Sequence, residues 1–251
     1  RKPDKVFVHG LMMMKDGKMS KSKGNVIPVP PLVEHYGVDS VRWYLAREIV
    51  FGQDGQFTPE QFIERLNADL SNNIGNLLNR TVSMISKYFG GQIPEYKGDL
   101  NDLDKNLHDM FDKTITTYEV LSDDLKVTES YAAVMDLVSA ANKYIEESAP
   151  WALAKDPAKA DLLASCMQHL ASVIYLAGML LSPIFVNKSE KIFDQLGIPT
   201  DGRTYENACK FDYVSNLTVC KGEQLFPRLD AASEIEFIQA LMAAPKEKSA
   251  A

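Results

Sequence analysis

Cysteine is scarce in this chain: Cys166, Cys209 and Cys220 are the only three in 251 residues. So few, so scattered, exclude a disulfide framework and a zinc knuckle, and they fit a reducing, cytoplasmic setting. An excess of positive charge is also missing. Lys and Arg total 27 against 34 Asp and Glu, a formal net charge of −7. A general nucleic-acid coat protein would be basic, so any contact with RNA has to come from a few placed groups. No secretory signal pattern occurs, and the most apolar stretch, "VIYLAGMLL", is short and interrupted, which predicts no membrane span and no membrane partner. There is no internal repeat. No GxxxxGK[ST] string occurs either, which excludes a Walker-type phosphate loop.

What is present is ordinary for a globular protein, with 45% hydrophobic and 24% charged residues. The length suits one large domain or two small ones. "KVFVHGLMMM" (5–14) reads as a strand, Asp16-Gly17 as a turn, and "IPVPP" (27–31) as non-helical. From Asp39, helical spacing of Val41, Tyr44, Leu45 and Ile49 runs towards Gly52. The first fifty residues are therefore mixed α/β. At Thr58 the character changes. "TPEQ" is a capping box with proline in the first turn. Behind it Phe62, Leu66, Leu70, Ile74, Leu77, Leu78, Val82, Ile85 and Phe89 predict one long helix ending at Gly90-Gly91. Further amphipathic helices follow over 103–125, from Thr128 to before Pro150, from Asp156-Pro157 to Leu181, and from Ser182-Pro183 to Gly197. Amphipathic helices joined by short connections predict an antiparallel helical bundle. Residues 198–228 read as irregular, "ASEIEFIQALM" as a last helix, and "APKEKSAA" as the start of a linker. The fold class is mainly α, with three parts at 1–57, 58–215 and 216–251. The chain opens at Arg1 inside a strand-like pattern, which predicts a piece of something larger.

The motif that carries chemistry is "KDGKMSKSKGNV" (15–26), which sets Lys18, Lys21 and Lys23 in a flexible loop after an apolar run. One reading is a solvated surface loop. The other is a device for phosphate, in which ammonium groups meet charge that develops as a leaving phosphate departs. A mobile Lys/Ser/Gly loop can close for that step and then release the product. The string "KMSKS" (18–22) favours the second reading, because it is the signature loop of class I aminoacyl-tRNA synthetases and sits just past a strand, as theirs does. Lys21 is the first candidate for the phosphate contact and Lys18 supports it. Ser20 and Ser22 are hydroxyl donors, and Met19 completes the ATP-binding string.

"RKPDKVFVHG", "KDGKMSKSKGNV", "LNADLSNNIGNLLNR" and "YIEESAPWALAKD" together resemble the C-terminal half of the bacterial methionyl-tRNA synthetases, over nearly the whole chain. The resemblance implies the end of a Rossmann-type catalytic domain with the lysine loop and a stem-contact region, then a helical anticodon-binding domain. It implies a methionine–tRNA ligase that uses ATP with Mg as substrate, with methionine and tRNA(Met) as partners. A homodimer through a further C-terminal domain is compatible with it. The family's His-x-Gly-His motif is absent, and His9, His35, His108 and His169 supply no substitute. The methionine pocket and any zinc site would therefore lie upstream, and the chain alone is predicted inactive.

Five asparagines, Asn67, Asn72, Asn73, Asn76 and Asn79, occupy one helix although Asn is a poor helix former. Their amides could read base edges, or could cap and bridge neighbouring helices. For Asn67, Asn72, Asn73 and Asn79 bridging is the expectation. Asn76 and Arg80 share a face and align with the family's anticodon-contacting positions. Trp151, fixed by Pro150, aligns with the family's anticodon-stacking tryptophan, and unpaired bases stack on such rings. Trp43 is expected in the core. Two rivals stand beside this reading. One is another class I synthetase, for isoleucine, valine, leucine or cysteine; the other is a non-catalytic helical RNA-binding module.

Overall fold

The computed structural model describes residues 2–4, 6–14, 17–19, 26–27, 29–50 and 52–243. A small sheet opens the chain: β1 (Met12–Met14), β2 (Gly17–Lys18) and β3 (Gly55–Gln56), in the order β2-β1-β3. β1 pairs antiparallel with β2, Met14 facing Gly17, and parallel with β3, Met12 facing Gly55. The strand expected over 5–14 is thus shorter. Residues 6–11 keep their apolar side chains but join no ladder among the described residues, and Val6 and Val8 are exposed.

α1 (Val29–Tyr36) corrects the expectation that "IPVPP" excludes a helix. Pro30 and Pro31 sit in its first turn, where a missing N–H removes no intrahelical bond. α2 (Val38–Glu48) follows at once and buries Trp43 completely, its indole N–H donating to Asp69 at 3.2 Å.

Thr58 caps α3 (Pro59–Arg65), its Oγ1 accepting from the Gln61 N–H at 3.1 Å. The long helix then departs from expectation. Leu66–Gly75 is π-helical before α4 (Asn76–Phe89) resumes. Four-residue steps from Phe62 through Leu66 and Leu70 to Ile74 would drift by roughly 40° each around an α-helix. The wider turn rotates each residue less and returns all four to the core, where each is at most 4% exposed. Gly75 permits the tight packing, since a Cβ there would lie 2.7 Å from the Leu70 carbonyl oxygen.

α5 (Asp102–Asp123), α6 (Val127–Ser148), α7 (Pro150–Leu153), α8 (Ala160–Leu181), α9 (Lys188–Leu196) and α10 (Tyr205–Ala208) complete the bundle. α8 is its axis and is buried nearly all round. With the turn before it, Pro157–Leu181 would by length and composition alone suffice to cross a bilayer, but 83% of its apolar window is buried inside the protein, as befits a core helix. Ser165, Gln168, His169 and Ser172 interrupt the apolar run of this helix. Each is buried and hydrogen-bonded. Ser165 donates to Asp104 at 2.6 Å, Gln168 to the Phe211 carbonyl at 2.8 Å, and His169 bonds Asp99 at 3.0 Å. Asp99 also bonds His108 at 3.1 Å, so the connection between α4 and α5 is pinned to two helices.

Residues 182–187, expected as the start of a helix, form turns before α9. The last helix, α11 (Ala231–Ala243), returns to the start of the chain. Glu234 accepts from the Tyr36 hydroxyl at 2.7 Å and bonds His35 at 2.9 Å. Residues 244–251, the expected linker, lie outside the described residues.

Candidate functional site

The lysine loop leaves the sheet at β2 and re-enters the fold at α1. Lys18 is exposed on β2, while Met19 is half-buried against the core and Ile27 is buried in it. Ser20, Lys21 and Ser22 lie outside the described residues, as does the expected turn residue Asp16. On either side of them in sequence, the described residues Met19 and Ile27 pack on the core.

The asparagine-rich helix is resolved in detail. Asn67 bonds the Leu229 backbone in both directions, Nδ2 donating to the carbonyl at 3.0 Å and Oδ1 accepting from the N–H at 2.9 Å. Asn73 donates through Nδ2 to the Ser139 hydroxyl on α6 at 2.9 Å. Both therefore bridge elements. Asn72 and Asn79 are exposed.

Asn76 and Arg80 lie one turn apart on α4, and both meet α6. Asn76 Nδ2 donates to Asn142 Oδ1 at 3.2 Å, and Arg80 Nη1 pairs with Glu146 at 2.7 Å. With Asn73–Ser139, these contacts join residues 66 positions apart in every case. A constant offset means that the two helices run side by side in the same direction, in register, with α5 returning the chain between them. Asn76 and Arg80 are half-buried, and Glu146 is exposed.

α6 ends where the tryptophan begins. Ala149 adopts a left-handed conformation (φ 46, ψ 61), uncommon for a residue with a Cβ and costing roughly 1–3 kcal/mol. Its N–H closes α6 on the Ile145 carbonyl at 3.1 Å, and its own carbonyl accepts from Ala152 at 2.7 Å to start α7. Pro150, buried, occupies the first position of α7, where its fixed φ suits the turn. Trp151 next to it is 43% exposed. Trp43 is wholly buried, as expected for packing. The chain thus reverses within one residue and leaves one large aromatic ring half in solvent, directly beyond the helix that carries Asn142 and Glu146.

Sequence reasoning did not single out Ser139, Asn142 and Glu146. The signal was available: polar residues break the apolar pattern of α6, and Asn142 and Glu146 repeat the four-residue spacing of Asn76 and Arg80. Chemically, the arrangement offers amide groups, a guanidinium held by one carboxylate, and an exposed π face. Those are the groups that bind an unpaired base by its edge and its face. Among the described residues, no group of three or more His, Cys, Asp or Glu could hold a metal ion.

Comparison with known proteins gives two family matches. Residues 1–82 match the family described as tRNA synthetases class I (M), and residues 93–237 match the anticodon binding domain of methionyl tRNA ligase. The methionine–tRNA ligase of Bacillus subtilis (strain 168) is 48% identical over 241 residues, covering 96% of this chain and 36% of the relative. That of Halalkalibacterium halodurans is 46% identical, covering 98% of this chain and 37% of the relative. This chain thus spans little more than a third of the length of these relatives. Among solved structures, Mycobacterium tuberculosis methionyl-tRNA synthetase in complex with methionyl-adenylate superposes with a TM-score of 0.84 at 31% identity, over 91% of this chain and 45% of that one.

Proposed function

The chain belongs to the methionyl-tRNA synthetase family of class I aminoacyl-tRNA synthetases, and from that premise we propose that it forms the anticodon-reading and loop-bearing part of a methionine–tRNA ligase. In the complete enzyme, methionine attacks the α-phosphate of ATP, supplied with Mg, and the resulting methionyl-adenylate passes its acyl group to tRNA(Met). Lys21, with Lys18, stabilises the departing pyrophosphate, and Ser20, Ser22 and Met19 line the same phosphate site. Charge placed where it meets the transition state raises the rate, whereas equal contact with bound ATP would only tighten binding.

The bundle binds the anticodon. Trp151, set by Pro150, stacks a base, while Asn76 and Arg80 reach its edge. The observation that carries this reading is the half-exposed Trp151 ring beyond the paired polar ladder of α4 and α6. A protein of net charge −7 can bind RNA in this way because affinity comes from placed contacts, with little counterion release. The layout is a catalytic-domain end and stem-contact region over 1–57, the anticodon domain over 58–215 and a C-terminal segment over 216–251. A cytoplasmic location agrees with three free cysteines, and a homodimer would be built by residues beyond this segment.

The test is binding of an RNA hairpin that carries the methionine anticodon CAU. Trp151→Ala should weaken it by about tenfold to a hundredfold or more, since stacking is worth roughly 1–3 kcal/mol per base and edge contacts add to it. The melting temperature should hardly move, because the ring is already half in water. Equal binding by both proteins would remove the anticodon assignment, and a large fall in melting temperature would place Trp151 in the core instead.

A further inference from the structure

Residues 220–229 form a non-helical strap that leads to α11, and side chains from the helices hold its backbone at three points. Gln195 donates to the Glu223 carbonyl at 3.1 Å, and Lys188 Nζ donates to the Leu225 carbonyl at 2.6 Å. Asn67 holds the Leu229 backbone in both directions. A strap pinned in this way cannot settle fully onto the helices it crosses, and a cavity of about 440 Å³, partly open to solvent, remains beside it. Its apolar lining comes from Leu66 and Leu70 in the π-helical segment and from Leu225, Phe226 and Leu229 in the strap. His35 and Tyr36 also line it, but both are committed to Glu234. Two polar groups of the lining are not used up. Ser40 is 6% exposed, and its hydroxyl has no hydrogen-bond partner among the described residues. Lys188 carries three N–H donors. Among the described residues only the Leu225 carbonyl accepts from its ammonium, which sits 5.2 Å from the centre of the Phe226 ring. Burial holds this amine below the ordinary lysine range, and Lys191 acts the same way, while Asp39 and Glu223 offset them only in part. Asp39 makes no contact pair with it; its Oδ2 is taken by two backbone N–H groups at the start of α9.

We propose that this cavity binds a small monocarboxylate with an apolar body, its carboxylate accepting from Lys188 and Ser40 and its body lying against Leu66, Leu70 and Phe226. The chemistry of the lining selects that class. A half-buried ammonium short of acceptors and a buried hydroxyl without a partner are both donors, and one carboxylate can satisfy the two together. Lys188 is the only Lys, Arg, Asp or Glu in the lining, so the site holds one anionic group. A second carboxylate would be buried unpaired against leucine side chains, at high cost. An amine would set like charges together. An uncharged amide of the same shape fills the space but returns no charge to the ammonium. Asn76, Arg80 and Trp151 do not line the cavity, so the site stands apart from the anticodon reading.

Benzoate and 3-methylbutanoate are the probes, each set against its own amide, benzamide or 3-methylbutanamide. Titrated into the full chain and followed by methyl NMR, each acid should shift the signals of Leu66, Leu70, Leu225 and Leu229 together. The acids should bind about tenfold more tightly than their amides, the scale of one charge-assisted hydrogen bond. Each acid should also raise the melting temperature as its concentration passes its Kd, because it binds the folded chain alone. Lys188→Met keeps the apolar stem and removes the charge, and should bring each acid down to the affinity of its amide. Ser40→Ala should weaken both acids by about threefold to tenfold, the scale of one neutral hydrogen bond. It carries the test if Lys188→Met fails to fold, and the comparison of acid with amide needs no variant at all. Failure of both acids to shift these four leucines at millimolar concentration overturns the site. So does equal binding of acid and amide, or acid binding that is unchanged in both variants.

Discussion

Asp39 on α2 caps a helix that begins 149 residues later: its Oδ2 accepts from the backbone N–H of Lys188 at 2.7 Å, and from that of Asn187 at 3.0 Å. Asn187 makes no side-chain cap of its own for α9. Two further contacts cross the same boundary. Arg42 donates to the carbonyls of Pro183 (2.8 Å) and Ile184 (3.1 Å), and Thr128 donates to the carbonyls of Ala46 (3.1 Å) and Ile49 (3.3 Å). The start of α9 is thus closed by α2 and the end of α2 by Thr128 at the start of α6, which fixes the loop-bearing piece to the bundle.

Asp39→Ala is expected to cost about 1–2 kcal/mol, the usual loss for a helix cap, read as a lower urea midpoint at an unchanged slope. Asp39→Asn should cost less, because an amide oxygen can still accept from both N–H groups. An unchanged midpoint in the alanine variant would mean that water caps α9 equally well.

Lys21→Ala, made in the complete enzyme, should slow methionine activation by about a hundredfold or more, the scale of losing one preorganised charge contact. KM for ATP should change much less. Weaker ATP binding at an unchanged activation rate would assign the lysine to the ground state.

The Asp99 carboxylate supplies a pH dependence. Partial burial works to raise it, but hydrogen bonds from His169 and then His108 outweigh burial and hold it below its ordinary value of 3.8. A carboxyl lowered by folding stabilises the protein above its unfolded pKa, and that contribution is lost as pH falls through the folded one. The gap in melting temperature between the natural protein and Asp99→Asn should therefore be full at neutral pH and close below about pH 4. A gap constant down to pH 2 would contradict it.

Thiol reactivity should divide sharply. Cys220 is exposed, whereas burial pushes the buried Cys166 thiol up to about 12. Since the thiolate is the reactive form, a thiol-specific chromophore should label Cys220 quickly and Cys166 only on unfolding. Cys220→Ser should remove the fast phase; a fast phase that persists when the half-buried Cys209 is also replaced by Ser would expose an opening of the bundle around α8.

The order of helices was readable from the sequence because apolar spacing and punctuation agreed at Thr58, Gly90, Pro150 and Gly197. Gly197 is a clear instance, with φ at 71 closing α9. Three features were not readable, each for a physical reason. α1 was obscured by Pro30 and Pro31, whose effect depends on position within the helix. The π segment was written in the four-residue steps from Phe62 to Ile74, but those steps resemble an α stripe over any short window. The burial of α8 on all sides depends on neighbours distant in sequence. Of the candidate site, Trp151 and Asn76 were found through resemblance. The α6 partners of Asn76 and Arg80 were not, because the polar break in the apolar pattern of α6 marks those residues without saying which helix they face.

The constant 66-residue offset between α4 and α6 also says how this protein can and cannot drift in length. Residues gained or lost in the connections beside α5 alter the offset number but leave the paired rungs facing each other. A single residue inserted between Asn76 and Arg80, or between Asn142 and Glu146, turns everything beyond it by about 100° and separates one rung from its partner. Evolution is free to lengthen the spacer; the rungs of the ladder tolerate substitution but not counting errors.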